Sequence, residues 1–529
     1  MDAVGFSLPA LAVILLANSL AAEGLPVKSD LVRARCGACH QLDSEQRMSR
    51  ISYVRKTPEG WEETIQRMMR LHGLDLTAAD GRKIEQYLAD SHGLTASELE
   101  KVAYSLASED IEEQVPNGAV KNACTTCHSY AKIAGQRRTR QEWLNLKDFL
   151  LAMFPSLVYQ HRFEDWPALC DKALPWLADE FPLETPEWKR ESGQSPPQEG
   201  RWLVRGHQLG KGDYVGAITY RTAADGGFET EAVRQFADGS SVSMNGRGQW
   251  LGATAWRGSG HGSEIDRARE VFQLSADGKT QNGRWFPFQH PEQGAKEVRY
   301  RVDGSPLIAG IMPGALRRGA SAVVLRIYGS NFNPSLELHD LNLGDGITID
   351  KVSERASDHV NIQVHVAADA KIGKCDIKVG AAHRDSALNV YDKVDYIRVL
   401  PEKALARLGG VRAVPRLIQF EAHAFSNGPD GIPGNADDLD LGLVKASWTL
   451  EESFTTPNDE DKKYVGSIGQ DGLFTPAQEG PNPQRQRSTN NAGDVWVNAS
   501  YTPEGSSAPL KTRAYLLVSV PAYRELISQ

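Results

Sequence analysis

Apolar residues recur at helical spacing in the first third of the chain, over residues 23 to about 195. Thr57–Glu59 is a suitable helix start, because proline fits the first turn and a carboxylate stabilises the positive end of the helix dipole. The helix that follows carries on one face Trp61, Ile65, Met68 and His72, which are spaced four, three and four residues apart. An amphipathic helix is therefore predicted here.

A similar helix follows further along the chain. Thr139 and Glu142 form a capping-box start, and Pro155 is expected to end the helix. Its apolar residues are Trp143, Leu146, Leu150 and Met153. Each half of this region therefore has a helix that begins near a tryptophan, which indicates an internal repeat of two helical units.

A boundary falls within residues 185–200, where prolines and glycines lie in polar surroundings. Beyond it, short alternating runs are separated by glycine-containing turns, which is typical of antiparallel β structure. The clearest turns are Asp225–Gly226, Asp238–Gly239 and Asp277–Gly278. We expect an antiparallel barrel or sandwich over residues 196–302.

The remaining chain repeats this β pattern in two stretches, 303–401 and 402–529. Strict alternation of apolar residues marks two strands of the first stretch: Val323, Leu325 and Ile327, then Val360, Ile362, Val364 and Val366. Each stretch resembles an immunoglobulin-like sandwich. The predicted fold class is thus multidomain, with an all-α domain followed by all-β domains.

Two Cys-x-x-Cys-His motifs lie in the helical part, at residues 36–40 and 124–128. This is the attachment signature of a c-type haem, whose vinyl groups form thioethers with the cysteines while the histidine binds the iron. A redox dithiol needs no histidine, and a zinc site wants four ligands where each motif offers three. The motifs therefore predict two covalently bound haems c. The attachment residues are Cys36, Cys39, Cys124 and Cys127, and the iron ligands are His40 and His128.

The sixth ligand of the first iron has several candidates, namely Met48, Met68, Met69 and His72. We favour Met68, which shares the face of Trp61, whereas Met69 points about 100° away on the helix. The alternative is that Met68 simply packs in the core.

The second iron has no such clear partner. Leu150 stands at the position that corresponds to Met68, and leucine cannot bind iron. Met153 and His161 are the two candidates, and a five-coordinate iron open to small ligands is the third possibility.

Export of the chain is predicted from its first 22 residues. Leu8–Leu20 is a largely apolar run and Ser19–Ala21 is a small-x-small cleavage candidate, although Asp2 and the lack of a basic residue depart from the usual signal peptide. Covalent haem attachment also takes place outside the cytoplasm in bacteria. Both observations predict a periplasmic protein.

The formal net charge of −9 argues against nucleic acid or a membrane surface as a partner. No later segment is long and apolar enough to span a membrane. Cys170 and Cys375 lie outside the motifs, far apart in the chain, and are expected to be isolated cysteines rather than a disulfide.

Several longer stretches connect the chain to a known family. In the haem region they are Arg50–Ser52, Arg55–Trp61, Met68, His72–Leu74, Tyr87–Asp90, Gln136–Arg138, Glu142–Trp143, Pro155–Leu157 and Tyr159–Gln160. In the β region they are Leu209–Asp213, Val390–Val394, Gly480–Pro483 and Thr489–Gly493. With these, most of the mature chain resembles the large, dihaem alpha subunit of bacterial quinohaemoprotein amine dehydrogenase.

The resemblance implies four domains: a dihaem cytochrome c domain of two tandem folds (23–195), a β barrel (196–302) and two immunoglobulin-like sandwiches. In that family, primary amines are oxidised to aldehyde and ammonia at a cysteine tryptophylquinone in a small gamma subunit, which sits with a β-propeller beta subunit. The resemblance therefore implies that this chain has no catalytic residues for amine oxidation. It implies a relay through two haems to an azurin-like copper protein or a cytochrome c.

The family pattern also has a histidine where this chain has Leu150. That histidine would make the second haem bis-histidine. Without it, the resemblance implies that Met153 or His161 takes the position, or that the iron stays open.

Two weaker signals have two interpretations each. The acidic loop Asp430–Asp440 has oxygen ligands that suit Ca²⁺, or is a solvated turn. The basic run behind the second motif either pairs with haem propionates or is solvated; it contains Arg137, Arg138 and Arg140.

Three functions remain open from the sequence. The first is the electron-transfer subunit of an amine dehydrogenase. The second is a dihaem peroxidase-like enzyme, which requires an open iron beside Leu150. The third is a haem-bearing scaffold whose β domains bind a partner.

Overall fold

The computed structural model of the protein describes residues 24–109, 111–161, 163–191, 199–453, 460–485 and 490–521. A helical region comes first and is followed by β-sheet domains, the first of which is a closed barrel of eight strands. This confirms the predicted order of all-α and all-β parts. The predicted signal peptide, residues 1–22, lies outside the described residues. Across the residues described, no helix is long and apolar enough to cross a membrane.

The helical region consists of short and medium helices and one strand pair. The helices are α1 Asp30–Cys36, α2 Pro58–His72, α3 Ala78–His92, α4 Ala96–Glu100, α5 Ala103–Leu106, α6 Gly118–Cys124, α7 Tyr130–Ala134, α8 Arg140–Leu144, α9 Leu146–Met153, α10 Leu157–Gln160, α11 Trp166–Glu180 and α12 Pro186–Glu191. The strands are β1 Val54–Lys56 and β2 Gln136–Arg138, which pair antiparallel.

Both tryptophan-led helices begin where the sequence predicts. The Thr57 hydroxyl accepts a hydrogen bond from the Gly60 amide at the start of α2, and Thr139 accepts one from the Glu142 amide at the start of α8. The second helix is not continuous, since Asn145 separates α8 from α9. The Glu142 carboxylate lies 3.4 Å from Arg50.

The two halves of the helical region make equivalent contacts around the strand pair. Arg55 lies directly opposite Arg137 in the ladder. Backbone bonds cross between the halves at equivalent positions, from the Thr57 amide to the Gly135 carbonyl and from the Thr139 amide to the Tyr53 carbonyl, each 3.1 Å long. Corresponding residues are thus 82 positions apart. This geometry supports the predicted internal repeat.

A single carboxylate holds the strand pair to α4. The side chain of Glu98 is 1% exposed and accepts hydrogen bonds from Arg55, at 2.7 and 2.9 Å, and from Arg137, at 3.1 Å. The Thr185 hydroxyl donates a further bond of 2.7 Å. Burial raises the pKa of Glu98, but the hydrogen bonds and charges of the two arginines outweigh burial and lower that pKa to about 2.

The barrel is antiparallel throughout. Its strands are β3 Gly200–Gln208, β4 Gly212–Thr222, β5 Phe228–Phe236, β6 Ser241–Leu251, β7 Ala255–Gly262, β8 Ala268–Leu274, β9 Thr280–Pro287 and β10 Ala295–Arg301. Strand β10 closes the barrel by pairing with β3 and β9. The predicted turns lie between strands, and Gly226, Gly239 and Gly278 have φ values of 85°, 86° and 71°, which favour glycine. The interior holds aromatic side chains and a buried ion pair between Arg234 and Glu297, 2.8 Å apart.

Two four-stranded sheets follow and enclose one hydrophobic core. Their strands are β11 Leu307–Met312, β12 Ala315–Arg317, β13 Val323–Ser330, β14 Leu341–Asn342, β15 Ile347–Arg355, β16 His359–Val366, β17 Gly373–Val379 and β18 Ala382–Tyr391, with a short 3-10 helix at Leu338–Asp340. One sheet has the order β11-β13-β16-β15 and the other β12-β18-β17-β14. The alternating residues from Val360 to Val366 are all buried in the core between them.

The last part of the chain has three small sheets around another core. The elements are β19 Tyr396–Leu400, β20 Lys403–Arg407, β21 Ile418–Gln419, β22 Glu421–Ser426, β23 Leu439–Val444, β24 Ser447–Glu452, α13 Asp461–Tyr464, β25 Gly466–Ile468, β26 Leu473–Pro476, β27 Gly493–Tyr501 and β28 Leu510–Ser519. The sheets have the orders β19-β22-β23, β20-β28-β27-β24 and β21-β26-β25.

The barrel packs directly against the helical region. The Arg284 guanidinium donates to the Ala107 carbonyl at 2.8 Å, and the Gly252 amide donates to the Asp90 carboxylate at 2.8 Å. Arg257 forms an ion pair with Glu59 of α2. These contacts place one side of the barrel over the space between the helices.

Candidate functional site

The helical region surrounds a cavity of about 1770 Å³. Pockets for a single small molecule usually measure about 300–1,000 Å³, so this cavity has room for more than one group. Both motifs contribute to its wall with Cys36, Cys39, His40, Cys124, Cys127 and His128. Arg269 and Phe286 of the barrel complete the wall. The two predicted attachment sites therefore share one internal space.

The motif histidines are held with one ring nitrogen available. His40 Nδ1 lies 2.7 Å from the Ser49 carbonyl oxygen, and His128 Nδ1 lies 3.1 Å from the Ser129 carbonyl oxygen. Because a carbonyl only accepts hydrogen bonds, Nδ1 carries the proton in both rings. This fixes the tautomer in which Nε2 has the free lone pair, the form that binds a metal. Burial also lowers the pKa of His128, which favours its neutral form.

The first cysteine of each motif does not have the thiol pKa of a redox dithiol. Burial raises the pKa of Cys36, with a further contribution from Cys39. Burial likewise raises the pKa of Cys124 to about 11. Redox-active Cys-x-x-Cys pairs instead have a lowered thiol pKa. The chemistry of both sites thus favours attachment of a group over disulfide exchange.

Helix α2 brings Met68 and His72 to the cavity wall. Met48 is fully buried in a hydrophobic core, and Met69 is 38% exposed; neither lines the cavity. Of the three methionine candidates for the first iron, Met68 is the one that lines the cavity.

The candidates for the second iron lie on different sides of the second motif. Leu150 and Met153 of α9 line the cavity. His161 follows α10 and does not line it, and its Nε2 lies 3.3 Å from the hydroxyl of Thr126, inside the motif. Of the two candidates, Met153 is the one exposed to the shared space.

A group of basic side chains lines the cavity between the motifs: Arg50, Lys56, Arg67 and Arg138. Burial lowers the pKa of Lys56, and the charges of Arg138 and Arg67 lower it further. Burial lowers the pKa of Arg138 to about 10. The Nε of Arg67 is buried without a hydrogen-bond partner. An anionic group fits this environment, and the two propionates of a haem have the charge and the acceptor oxygens that guanidinium groups bind.

The predicted basic run contributes only one residue to this group. Arg138 lines the cavity, but Arg137 points to the buried Glu98 carboxylate. Arg140 is exposed and pairs with Asp179 at 2.6 Å. Arg137 and Arg138 diverge because adjacent residues of strand β2 face opposite sides. The exposed Arg140 matches the solvated alternative.

Four family models match the chain and together span nearly all of it. "Quinohemoprotein amine dehydrogenase A, alpha subunit, haem binding" matches residues 27–188, and the models of alpha subunit domains II, III and IV match residues 196–301, 305–392 and 397–526. The chain belongs to the quinohemoprotein amine dehydrogenase alpha-subunit family. A search of curated proteins found no match. The haem-binding region of this alpha subunit contains both motifs and most of the cavity wall.

Outside that region, two carboxylates of the acidic loop of this alpha subunit accept hydrogen bonds from within the loop. Asp430 accepts hydrogen bonds of 2.8 Å from the Ile432 amide and from the Asn435 side chain. Asp438 accepts one of 2.7 Å from the Gly434 amide. These side-chain-to-amide contacts are typical of an acidic turn, while the second carboxylate oxygen of Asp438, Oδ1, is buried without a hydrogen-bond partner.

The two cysteines outside the motifs are free, as the sequence predicts. Cys170 is buried in α11 and lines the cavity, and burial raises its pKa to about 12. Cys375 is half-buried in β17.

Proposed function

We propose that this alpha subunit is the electron-transfer subunit of a periplasmic amine dehydrogenase complex and holds two covalent haems c. The observation that carries the proposal is the single cavity reached by two complete Cys-x-x-Cys-His motifs. In both motifs the histidine Nε2 is available. Family membership supports the amine dehydrogenase assignment.

In this proposal the chain's own residues divide the work of holding the haems. Cys36 and Cys39 attach the first haem and Cys124 and Cys127 the second, with His40 and His128 as iron ligands. Each haem, when bound, supplies an iron that accepts and releases one electron. The Ser49 and Ser129 carbonyls orient the histidines, and the arginines of the cavity wall bind the haem propionates.

Met68 is proposed as the sixth ligand of the first iron, since it is the methionine of α2 that lines the cavity. For the second iron we propose Met153 rather than His161, because His161 is beside the motif loop and its Nε2 faces Thr126. The two haems then differ in their surroundings, as Leu150 takes the place corresponding to Met68.

The partners follow from the family assignment. We infer that electrons enter from a cysteine tryptophylquinone in a small gamma subunit bound with a β-propeller beta subunit. They leave to an azurin-like copper protein or a cytochrome c.

The proposed domains are 23–195, with two tandem cytochrome c folds, then a barrel over 196–302. Immunoglobulin-like sandwiches over 303–401 and 402–529 complete the chain; the shared core of the first pair of sheets supports this interpretation.

The test of the proposed function uses the complex purified from its native host. Addition of a primary amine without oxygen is expected to reduce both haems, seen as growth of the reduced bands in the optical spectrum. Co-purification of a small quinone-bearing subunit is also expected. Haems that stay oxidised in the intact complex after amine addition would contradict the proposal.

A peroxidase-like activity is the second candidate, and Leu150 is the observation that favours it. A leucine at this position leaves the second iron without the ligand that the family pattern provides. Peroxide-dependent oxidation of an electron donor, without any response to amines, is the result that this candidate requires.

Replacing Met153 with leucine is expected to remove the methionine-to-iron charge-transfer band of one haem, about half of the signal, because thioether ligation is lost. The measurement is the optical and EPR spectrum of the oxidised protein. His161→Gln is the matched control and should leave the spectrum unchanged. If Met153→Leu has no effect and His161→Gln does, the assignment is reversed. If neither variant alters the spectrum, the second iron is open.

A further inference from the structure

A second cluster of metal-binding side chains lies where the barrel meets the last part of the chain. His207 is near the end of β3, and Glu421 and His423 are two residues apart on β22. Alternate residues of a strand point to the same side, so the last two face the barrel together. The cluster lies outside the motif cavity, and none of its three residues lines that cavity.

The distances among these side chains suit a common ligand. His207 Nε2 lies 2.9 Å from a carboxylate oxygen of Glu421, and His423 Nε2 lies 3.9 Å from the same oxygen. One ligand atom from each residue lies within 4.8 Å of the others. In a tetrahedral zinc site with Zn–N bonds of about 2.0–2.1 Å, neighbouring ligand atoms are about 3.3 Å apart. The two distances to Glu421 lie on either side of this value.

Each histidine is oriented by its own carboxylate. His207 Nδ1 donates to Asp213 at 2.7 Å, and His423 Nδ1 lies 3.2 Å from Asp440. The Gly210 amide donates to Glu421 at 2.8 Å and fixes that side chain. Histidines that bind metals usually donate the other ring proton to a carboxylate in this way.

This arrangement leaves three electron-rich atoms facing one another. With Nδ1 carrying the proton, each neutral imidazole turns the lone pair of Nε2 toward the Glu421 carboxylate. His423 is only 9% exposed, and its Nε2 has no hydrogen-bond partner, because 3.9 Å is too long for a hydrogen bond. A proton on His207 Nε2 would satisfy its 2.9 Å contact with Glu421, whereas a divalent cation would give all three atoms, including the unpartnered Nε2 of His423, a common partner.

We propose that His207, Glu421 and His423 bind one divalent transition-metal ion of the zinc class, which ties the barrel to the last part of the chain. Two imidazoles and one carboxylate are ligands that zinc accepts. His207 is 28% exposed on its side chain, so water can take the fourth position. A similar group at the surface, of Asp376, His383 and Asp385, is fully exposed and has no such unpartnered buried nitrogen.

Protonation is the competing explanation. Burial opposes it, but the Asp213 and Glu421 carboxylates raise the pKa of His207 to about 10, and Asp440 and Glu421 raise the pKa of His423 to about 9. Two protons and one divalent ion carry the same charge, so the two explanations are distinguished by metal content.

The test measures metals in the purified holo-complex after dialysis against zinc and then against metal-free buffer. Elemental analysis should find about one zinc per alpha subunit, counted against haem iron. Anomalous diffraction at the zinc edge should give a peak between His207, Glu421 and His423. Wild-type protein that keeps no zinc, with no anomalous peak there, would overturn the proposal and leave an ion-paired cluster.

Two variants and one control make the result specific. His423→Gln is expected to lose the zinc, and Asp440→Asn, which keeps all three ligands, is expected to bind zinc about 10–100-fold more weakly. His383→Gln, in the exposed group, should keep it. Retention of zinc at wild-type affinity by both His423→Gln and Asp440→Asn would also contradict the site.

Discussion

Replacing Glu98 with alanine is expected to lower the free energy of unfolding of the helical region by about 3–5 kcal/mol, because removing one partner of a buried pair leaves uncompensated charge. Here two buried guanidinium groups, of Arg55 and Arg137, lose their common partner. The measurement is thermal or denaturant unfolding followed by the circular dichroism of the haem bands, which reports on this region. Glu100→Ala removes an exposed carboxylate from the same helix and should change the stability by less than about 0.5 kcal/mol. Equal stability of the two variants would contradict the role of Glu98.

The same residue predicts a pH dependence with a definite sign. The pKa of Glu98 is lowered from an ordinary 4.5 to about 2, so its contribution is fully present above about pH 4.5 and is lost as the pH falls toward 2. The stability advantage of the wild type over Glu98→Gln should therefore shrink over this range. If the stability advantage of the wild type stays constant between pH 5 and pH 2, the lowered pKa of Glu98 is contradicted.

Replacing both Cys124 and Cys127 with alanine is expected to reduce the covalently bound haem by about half, since thioether attachment needs the motif cysteines. The mass of the denatured chain and a haem stain after denaturing electrophoresis measure it. The first motif should keep its haem, because its cysteines belong to the other half of the repeat. Amine-dependent reduction should then be confined to the remaining haem or be lost.

Cys170 provides a matched control for this experiment. Its side chain lines the same cavity and is buried, but it belongs to neither motif. Cys170→Ala should retain two covalent haems. If the double variant keeps two haems, or if Cys170→Ala loses one, then the motif is not the attachment site.

Local signals predicted the elements of this fold well. Thr57 and Thr139 begin helices because their hydroxyls satisfy free amides, a contact made within three residues. The Asp-Gly turns and the alternating strands are local for the same reason. Helical geometry alone placed Met68 on the face of Trp61 and Met69 on another face, since successive residues of a helix are 100° apart.

Contacts between segments that are far apart in the chain could not be predicted from the sequence. Glu98 joins residues 43 and 39 positions away. Arg67 and Lys56 face the cavity from different elements than Arg138. Glu421 meets His207 across 214 positions. The sequence does not distinguish a residue of an exposed turn from a buried metal ligand when the other ligands come from a distant part of the chain. The Glu421-x-His423 spacing on β22 is a local pattern that could have indicated a metal ligand pair, but it does not identify His207 as the third residue.

The equivalent contacts made by the two halves of the helical region bear on how far those halves can differ. In a symmetric dimer of identical subunits, a substitution appears in both copies at once, so both pockets must change together. In the joined chain, Met68 and Leu150 occupy equivalent positions yet differ. Within one chain each half can therefore have its own residue at this position of the cavity wall. The paired strands and the buried Glu98 carboxylate hold the two halves together whichever residue is present.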